Sequence, residues 1–353
     1  MRMDIINLTK NWAEPAGPVS HVVVTSRVRQ ARNIERVSFP PRADKEDLRR
    51  ICDSVDRLLR SDATAGRFAR VEIPQCTALE RAFLKESHII SPELEQAGEY
   101  RILYLDPQRS CAIMVNEEDH LRMYCLRSGL QLIPVLEEIN AIDAVFGRSL
   151  KYAFSEKYGF LTTCPSNVGT GTRASVMLHL PGLVMTGQIE EIVKNLPQSG
   201  LTVRGYYGEH SEFLGDFYQI SNEVTLGKTE EQIIQALQTA IEQIVAREEA
   251  ARNILFDKKR AYVEDVIWRA YALLTHARVM ASSEAFKLLS PIRLGIERGY
   301  FPSLTHHRLN HLIVEAQPAH LQVAQGGEIG VEERDIARAR LLRGAFTALD
   351  THN

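Results

Sequence analysis

The chain has 353 residues, of which 44% are hydrophobic and 25% are charged, a composition typical of a globular protein with a full hydrophobic core. Its net charge of −3 provides no overall positive field, which argues against nucleic acid as a direct partner. The five cysteines lack paired spacing or metal-ligand motifs, and no segment is apolar enough to span a membrane. We therefore expect a reduced, cytoplasmic protein without a disulfide framework, a protein-held metal or a membrane contact.

Hydrophobic periodicity in the first two thirds of the chain predicts strands interspersed with helices. The predicted strands are residues 21–29, 101–105, 111–122, 174–180, 201–207 and 216–223. The predicted helices are residues 41–60, 130–146, 188–196 and a long helix that begins at the capping box 229–232. Several of the strands are joined by hairpin-like turns, which favours an α+β fold built on a mainly antiparallel sheet.

From about residue 256 onward the periodicity is helical, in segments 261–281, 303–314 and 331–349. This shift predicts a second, all-helical C-terminal domain. The sequence thus predicts a lead-in at residues 1–20, a main α+β domain at 21–255 and a helical domain at 256–353.

Two arginines lie on one face of the first predicted strand. Arg27 and Arg29 are two residues apart, so both side chains point to the side of Thr25. Two guanidinium groups on one face repel each other unless an anion lies between them. The pair therefore indicates a clamp for phosphate oxygens, with a solvated strand face as the alternative.

The run Asn116–Arg122 has the sequence NEEDHLR. If strand 111–122 keeps its alternation, Glu118, His120 and Arg122 lie on one face. An acid, an imidazole and an arginine together indicate an active site. An exposed strand end and a metal-binding acidic run are the alternatives.

Two glycine-containing loops add further candidates. The loop CPSNVGTGTR places a thiol at Cys164 and a guanidinium at Arg173, with bare backbone N–H groups between them. A second loop follows the strand that ends near Arg204 and contains Glu209. Surface turns without function are the alternative for both.

Together these segments supply five arginines, two acids and a thiol, an inventory suited to phosphoryl transfer. The arginines are Arg27, Arg29, Arg122, Arg173 and Arg204. The chain has neither a P-loop nor the protein-kinase motifs. The two carboxylates, Glu118 and Glu209, call for a cationic acceptor, and a guanidinium fits them.

These ordered segments resemble those of the ATP:guanidino phosphotransferases, the family of the creatine and arginine kinases. The match runs over roughly residues 20 to 250, and the NEEDHLR and CPSNVGTG runs are its most specific parts. The resemblance implies the glutamine-synthetase-like guanidino-kinase fold, an antiparallel sheet flanked by helices. It also implies transfer of the γ-phosphoryl group of ATP to a guanidinium nitrogen, with Mg²⁺ bound mainly through ATP.

The resemblance also implies roles for individual residues. Glu118 and Glu209 would hold the guanidinium and accept a proton, and Cys164 would lie beside the substrate as a thiolate. The residues implied in ATP binding are Thr25, Ser26, Arg27, Val28, Arg29, His88, Arg122, Arg173, Ala174, Ser175, Val176, Met177, Arg204, Gly205, Tyr206, Tyr207, Gly208 and Glu209.

Two departures point to one branch of the family. Kinases of small guanidines have a helical domain before the first arginine strand, whereas only about twenty residues precede Thr25 here. The helical C-terminal extension resembles that of the bacterial protein-arginine kinases. Within it, Arg334, Asp335, Arg338 and Ala339 resemble a phosphoarginine-sensing motif, in which the two arginines, four apart on a helix, would grip a phosphoryl group. An Asp335–Arg338 pair on a solvated helix is the alternative.

The same resemblance implies partners and a cellular role. We expect protein substrates with exposed arginines, an activator protein, the Clp protease machinery and a homodimer. Phosphorylation would mark proteins for regulated proteolysis and control a stress response. A kinase of free arginine and a non-catalytic phosphoarginine-binding adaptor are the alternatives.

Overall fold

The structure is a computed structural model that describes residues 17–61, 68–96, 98–106, 111–206 and 213–350, apart from the side chains of residues 61, 349 and 350. Within these ranges an eight-stranded antiparallel sheet has the order β2-β3-β4-β5-β1-β8-β10-β9. A separate two-stranded sheet pairs β6 with β7. The strands are β1 (Val23–Arg32), β2 (Ala69–Glu72), β3 (Ile102–Asp106), β4 (Cys111–Val115), β5 (Leu121–Ser128), β6 (Phe154–Ser155), β7 (Gly159–Phe160), β8 (Thr172–His179), β9 (Leu201–Arg204) and β10 (Phe217–Asn222).

Helices flank the sheet and form the C-terminal part of the chain. They are α1 (Lys45–Ser61), α2 (Ala78–Glu86), α3 (Pro92–Glu95), α4 (Leu132–Ser149), α5 (Pro181–Met185), α6 (Ile189–Asn195), α7 (Glu230–Lys258), α8 (Arg260–His276), α9 (Ser282–Glu297), α10 (His306–Glu315), α11 (Pro318–Ala324) and α12 (Val331–Asp350). The predicted α+β architecture with a helical C-terminal region is confirmed.

One face of the sheet is covered by α1, α4 and α7. Side chains that alternate along the central strands, such as Val28 and Val176, are fully buried there against Ile139 and Leu237. Burial of this apolar surface is the main favourable term in forming the domain. The predicted capping box at Thr229 forms, because its side chain accepts from Gln232 N and the Gln232 side chain accepts from Thr229 N.

The described residues cover the opposite face at its two ends. At one end α2 and α3 pack on β3, β4 and β5. At the other end the helical C-terminal region packs on Tyr206 and Phe217 through a cluster that includes Phe286. Within the part of the chain that the structure describes, the middle of this face is open between the two clusters, and Arg27, Arg29, Arg122 and Arg173 lie there.

Three expectations need correction. Residues 116–120 do not continue the strand but form the loop of the β4–β5 hairpin, with Asn116 in the left-handed region at φ 56°. Cys111 and Cys125, which are paired residues on β4 and β5, form a disulfide. Helices α9 and α11 lie between the predicted helical segments. No helix in the described ranges is both long enough and apolar enough to cross a membrane.

Candidate active site

Five arginines converge on the open face of the sheet, as the strand alternation predicts for β1. Arg29 is directly opposite Arg173 across the β1–β8 ladder. Arg122 on β5 is opposite Ala31, so its side chain lies on the same face, and Arg204 ends β9. The sheet therefore gathers onto one surface residues that are up to 177 positions apart in the chain.

Among the described residues, Arg27 and Arg29 of β1 lack the acidic partner that a buried cation normally has and that Arg32 of the same strand finds in Asp143. Burial, followed by repulsion from Arg122 and Arg204, lowers the pKa of Arg27 to about 10. Burial and repulsion from the other four arginines hold the pKa of Arg29 well below its usual range. In the described part of the chain neither side chain forms an ion pair, and the buried Arg29 Nε has no hydrogen-bond partner. An anion between them would relieve both penalties.

Acids from the β4–β5 loop lie at the other end of the site. The Glu117 carboxylate receives two hydrogen bonds from Arg122 Nη1, at 2.6 and 2.8 Å, and also accepts from the Ser91 hydroxyl. Although burial acts against both charges, this pair lowers the pKa of Glu117 and raises that of Arg122. Glu117 is thus a charge partner for Arg122, a role that the sequence analysis did not assign.

Glu118, unlike Glu117, forms no ion pair in the described part of the chain and is available to contact a substrate. Its side chain is half-buried and lines the cavity described below. Burial, and then the neighbouring Asp119, raises its pKa above the ordinary value for a glutamate. A carboxylate in this state is a stronger base than one in water.

The Cys164 loop is tied to the acidic loop. Asp119 accepts from Thr163 N at 2.7 Å and from Asn33 Nδ2 at 2.6 Å. The Thr163 hydroxyl donates to Glu118 O at 2.8 Å. These bonds place Glu118 next to Cys164. Thr163 and Asp119 were not among the predicted site residues, although Asp119 belongs to the NEEDHLR run and Thr163 directly precedes Cys164.

The thiol itself is partly exposed and free. Cys164 Sγ lies 3.0 Å from Ser166 Oγ, at the start of a short 3₁₀ turn. The far end of the loop approaches β1 closely, since Arg32 Nη1 donates to Thr170 O at 2.9 Å. Gly171 has φ 65°, and a Cβ there would lie 2.6 Å from Ala31 O, so this position requires glycine.

His120, which the strand alternation placed beside Glu118, is instead buried away from the site. Its Nδ1 lies 3.0 Å from Ile34 N and its Nε2 lies 3.0 Å from Ser38 O. Burial lowers its pKa to about 4, so the ring is neutral at pH 7. Both ring nitrogens contact the segment that follows β1 and hold it in place. The side chain points away from the site because the loop at 116–120 does not follow the strand period.

A cavity of about 680 Å³ joins these groups. It has a positive end, formed by Arg29, Arg173 and Arg204, and an acidic end with Glu117, Glu118 and the exposed Glu93. Cys164 and Ser166 lie on its wall. Its size suits a small organic ligand.

A smaller cavity of about 40 Å³ lies on the same face of the sheet, with Arg27 of β1 in its lining where Arg29 lines the large cavity. Six residues that the resemblance implied in ATP binding line it, together with Val24, Leu126 and Gln219, which were not predicted. The six are Thr25, Arg27, His88, Ser175, Met177 and Tyr206. The His88 and Tyr206 rings meet edge to face at 5.0 Å between centroids.

The other described residues that the resemblance implies in ATP binding do not line the smaller cavity. The side chains of Val28, Ala174 and Val176 are buried in the core on the helix-covered face, and the Ser26 hydroxyl donates to Gly129 O. These four positions offer the open face only their backbone, because side chains alternate along a strand. Gly205 is buried directly after β9. Tyr207, Gly208 and Glu209 lie outside the described residues.

The Arg334–Ala339 motif lies on α12 in the helical region. Arg338 is buried, and it donates from Nε to Ala316 O and from Nη1 to Met280 O and to Asp335 at 2.5 Å. Ala339 is also buried, whereas Arg334 is partly exposed. Arg338 is therefore engaged inside the helical region, and the Asp335–Arg338 pair that was the alternative is present. The phosphoarginine-sensing role of the motif stays a prediction.

Among the described residues, one group of potential metal ligands has suitable spacing, Cys111, Cys125 and Glu138 on the helix-covered side of the sheet. Because its two sulfurs form a disulfide, this group offers no thiolate to a metal. It is separated from the arginine face by the sheet itself. The arginines that surround the large cavity suit the phosphate oxygens of a nucleotide. A magnesium ion would arrive bound to those phosphate oxygens as part of MgATP.

Comparisons with known proteins agree with this geometry. The profile of the ATP:guanido phosphotransferase C-terminal catalytic domain matches residues 50–251, and that of the protein-arginine kinase McsB C-terminal domain matches residues 260–353. A protein-arginine kinase of Geobacillus stearothermophilus is 43% identical over 334 residues, which cover 94% of this chain and 92% of that protein. One from Pelotomaculum thermopropionicum is 41% identical over 353 residues, which cover 99% of each chain.

Solved structures show the same fold. The duplicated taurocyamine kinase from Schistosoma mansoni, with bound transition state analogue components, matches with a TM-score of 0.59 and 30% identity, over 67% of this chain and 34% of that chain. A lombricine kinase matches with a TM-score of 0.58 and 24% identity, over 69% and 75% of the two chains, which supports the fold alone. The chain belongs to the ATP:guanido phosphotransferase family and, within it, to the protein-arginine kinases.

Proposed function

We propose that this chain transfers the γ-phosphoryl group of MgATP to the guanidinium group of arginine side chains in proteins. The observation that carries the proposal is one cavity with two chemically different ends. Three arginines, among them Arg29 with a buried Nε that has no hydrogen-bond partner in the described part of the chain, form one end, and a glutamate with a raised pKa lies with a free thiol at the other.

The positive end is suited to the phosphates. Arg27, Arg29, Arg173 and Arg204 would donate charge-assisted hydrogen bonds to phosphate oxygens, while Arg122 is held in place by Glu117. When bound, MgATP supplies the phosphoryl group, and its metal ion is held through the phosphate oxygens. The base would lie against the smaller cavity and its lining residues His88 and Tyr206, since their aromatic rings offer stacking and edge contacts.

The acidic end is suited to the acceptor. Free guanidinium has a pKa above about 12 and is not a nucleophile while protonated. Glu118 would orient the guanidinium and accept a proton from the attacking nitrogen, and Cys164 would contact the same group from the cavity wall. Glu209 would hold the guanidinium from the other side, a role that we carry over from the family resemblance. Catalysis would then rest mainly on positioning and charge neutralisation.

A protein-bound acceptor is supported by the protein-arginine kinases that match along nearly the whole chain. The same relatives make a free-arginine kinase or a non-catalytic adaptor the weaker candidates. We propose further that Arg334, with Asp335 and Ala339, takes part in sensing phosphoarginine and that Arg338 anchors this helix from inside. A homodimer, an activator protein, delivery to a Clp protease and a cytoplasmic location belong to the same proposal.

The role of Glu118 can be tested separately from nucleotide binding. We expect Glu118→Gln to lower kcat by about 10²-fold or more, the range of general-base catalysis, with ATP affinity within twofold of the wild type. Glu209→Ala should behave in the same way. Turnover would be followed by ADP release and affinity by titration with a fluorescent ATP analogue. Unchanged turnover in Glu118→Gln would refute its role as the base.

A further inference from the structure

A buried carboxylate joins the helical C-terminal region to the sheet domain. Glu86, the last residue of α2, is 8% exposed. Its carboxylate accepts from Ala319 N at 2.9 and 3.0 Å and from His320 N at 3.2 Å, in the first turn of α11. A carboxylate at this place satisfies backbone N–H groups that have no partner within the helix. The contact thus fixes α11 on the end of α2.

His320 reinforces the same contact with its side chain. Its ring stacks on Phe83 with 4.1 Å between centroids, and its Nδ1 lies 3.1 Å from the Glu86 carboxylate. Its Nε2 lies 3.2 Å from the hydroxyl of Ser87. One imidazole from the C-terminal region therefore contacts three residues within the stretch 83–87.

The next residue in the chain is His88, which lines the smaller cavity beside Arg27. His88 has φ 57°, a left-handed conformation that costs about 1 kcal/mol or more for a residue other than glycine. Its N donates to Lys85 O at 2.8 Å, so the turn that places its ring is continuous with the segment held by His320. Burial, and then Arg27 and His320, lowers its pKa to about 3, which leaves the ring neutral.

We propose that Glu86 and His320 are positioning residues for nucleotide binding, because they hold the strained turn that presents His88 to the small cavity. The C-terminal helical region would then help to build the nucleotide pocket in addition to any regulatory role. The inference rests on the proposed assignment of this cavity to the nucleotide. It concerns affinity for ATP and not the transfer step, since neither residue lines either cavity.

The alternative is a purely structural docking contact, which would affect folding without changing the pocket. The two roles differ in what they do to a folded variant. A docking contact changes the free energy of unfolding, and it leaves KM for ATP unchanged as long as the protein is folded. A positioning contact raises KM for ATP and leaves kcat nearly unchanged.

The experiment compares His320→Ala, Glu86→Gln, His88→Ala and the double variant His88→Ala/His320→Ala, in the full chain, by steady-state kinetics and titration with a fluorescent ATP analogue. Glu86→Gln keeps the size of the side chain, but its amide would face the N–H groups of α11. His276→Ala, at an exposed histidine of α8, is the matched control. Thermal unfolding shows that each variant is folded at the assay temperature.

We expect each of the first three variants to raise KM for ATP about tenfold, with kcat within about twofold of the wild type. The double variant should be no worse than His88→Ala, because both changes act through the same ring. If His88→Ala raises KM while folded His320→Ala and Glu86→Gln do not, the inference is wrong and the proposed pocket stands. If His88→Ala itself leaves KM unchanged, the nucleotide assignment of the cavity fails with it. A loss of kcat without a change in KM would also contradict the inference.

Discussion

Replacing Arg27 with methionine should make the ligand-free protein more stable while removing its response to ATP. Arg27 lies among four other arginines and itself forms no ion pair in the described part of the chain, so its charge opposes folding. Methionine keeps much of the apolar stem and removes that charge. In the wild type, the penalty would be relieved only when phosphates bind.

The size of the effect follows from the pKa. The pKa of Arg27 in the folded protein is about 10, whereas that of arginine in water is above about 12. Two or more pKa units correspond to roughly 3 kcal/mol at about 1.4 kcal/mol per unit. Because a basic group with a lowered folded pKa opposes folding at every pH below that pKa, the whole penalty is present at pH 7. Partial exposure of the side chain screens it, so we expect a gain of about 1 to 2 kcal/mol.

The assay is urea unfolding of the wild type and of Arg27→Met at pH 7, each with and without saturating MgATP. ATP should raise the unfolding free energy of the wild type and have little effect on the variant. Arg49→Met, at an exposed arginine of α1, is the control and should change stability by less than about 0.5 kcal/mol. An Arg27→Met protein that is less stable without ligand, or that still responds fully to ATP, would refute the reasoning.

Three further predictions follow from the acidic end of the site. Glu117→Gln leaves Arg122 without its charge partner and should lower the unfolding free energy by about 3 kcal/mol in urea titrations; a loss below about 0.5 kcal/mol would contradict this. Asp119→Asn removes a charge that raises the pKa of Glu118, so the acid limb of the kcat/KM profile should move to lower pH, and an unmoved limb would count against Glu118 as the base. Cys164→Ser should make activity insensitive to hydrogen peroxide, whereas the wild type loses activity; equal losses would exclude this thiol as the target.

The sequence predicts β1, β3, β4, β8, β9 and β10 from their apolar runs and alternation, whereas β2, the β6–β7 pair and most of β5 were not predicted. Along β1 the side chains alternate between the two faces of the sheet. The placement of Arg27 and Arg29 on one face follows from that period alone. The loop at 116–120 could not be predicted in this way. Its path depends on Asn116, whose side chain donates to Leu48 O and Tyr100 O, residues distant in the sequence.

The sequence indicates which residue types form the site, but it does not show which of them contact each other. Glu117 and Glu118 are neighbours of the same type, and only the fold shows that Glu117 neutralises Arg122 while Glu118 faces the cavity. The burial of Arg338 is likewise a tertiary effect, since the helical spacing that places it beside Arg334 does not show which neighbours cover it. The disulfide between Cys111 and Cys125 depends on strand register, which the spacing of the cysteines does not reveal.

The central claim is that the acceptor is arginine in a polypeptide. The most direct test is to incubate the chain and MgATP with an unfolded arginine-rich protein, and separately with free arginine at the same arginine concentration. Both products are then analysed by mass spectrometry without acid, because the P–N bond is acid-labile. We predict phosphoarginine on the protein and little on the free amino acid. Efficient phosphorylation of free arginine, with little on the protein, would contradict the account.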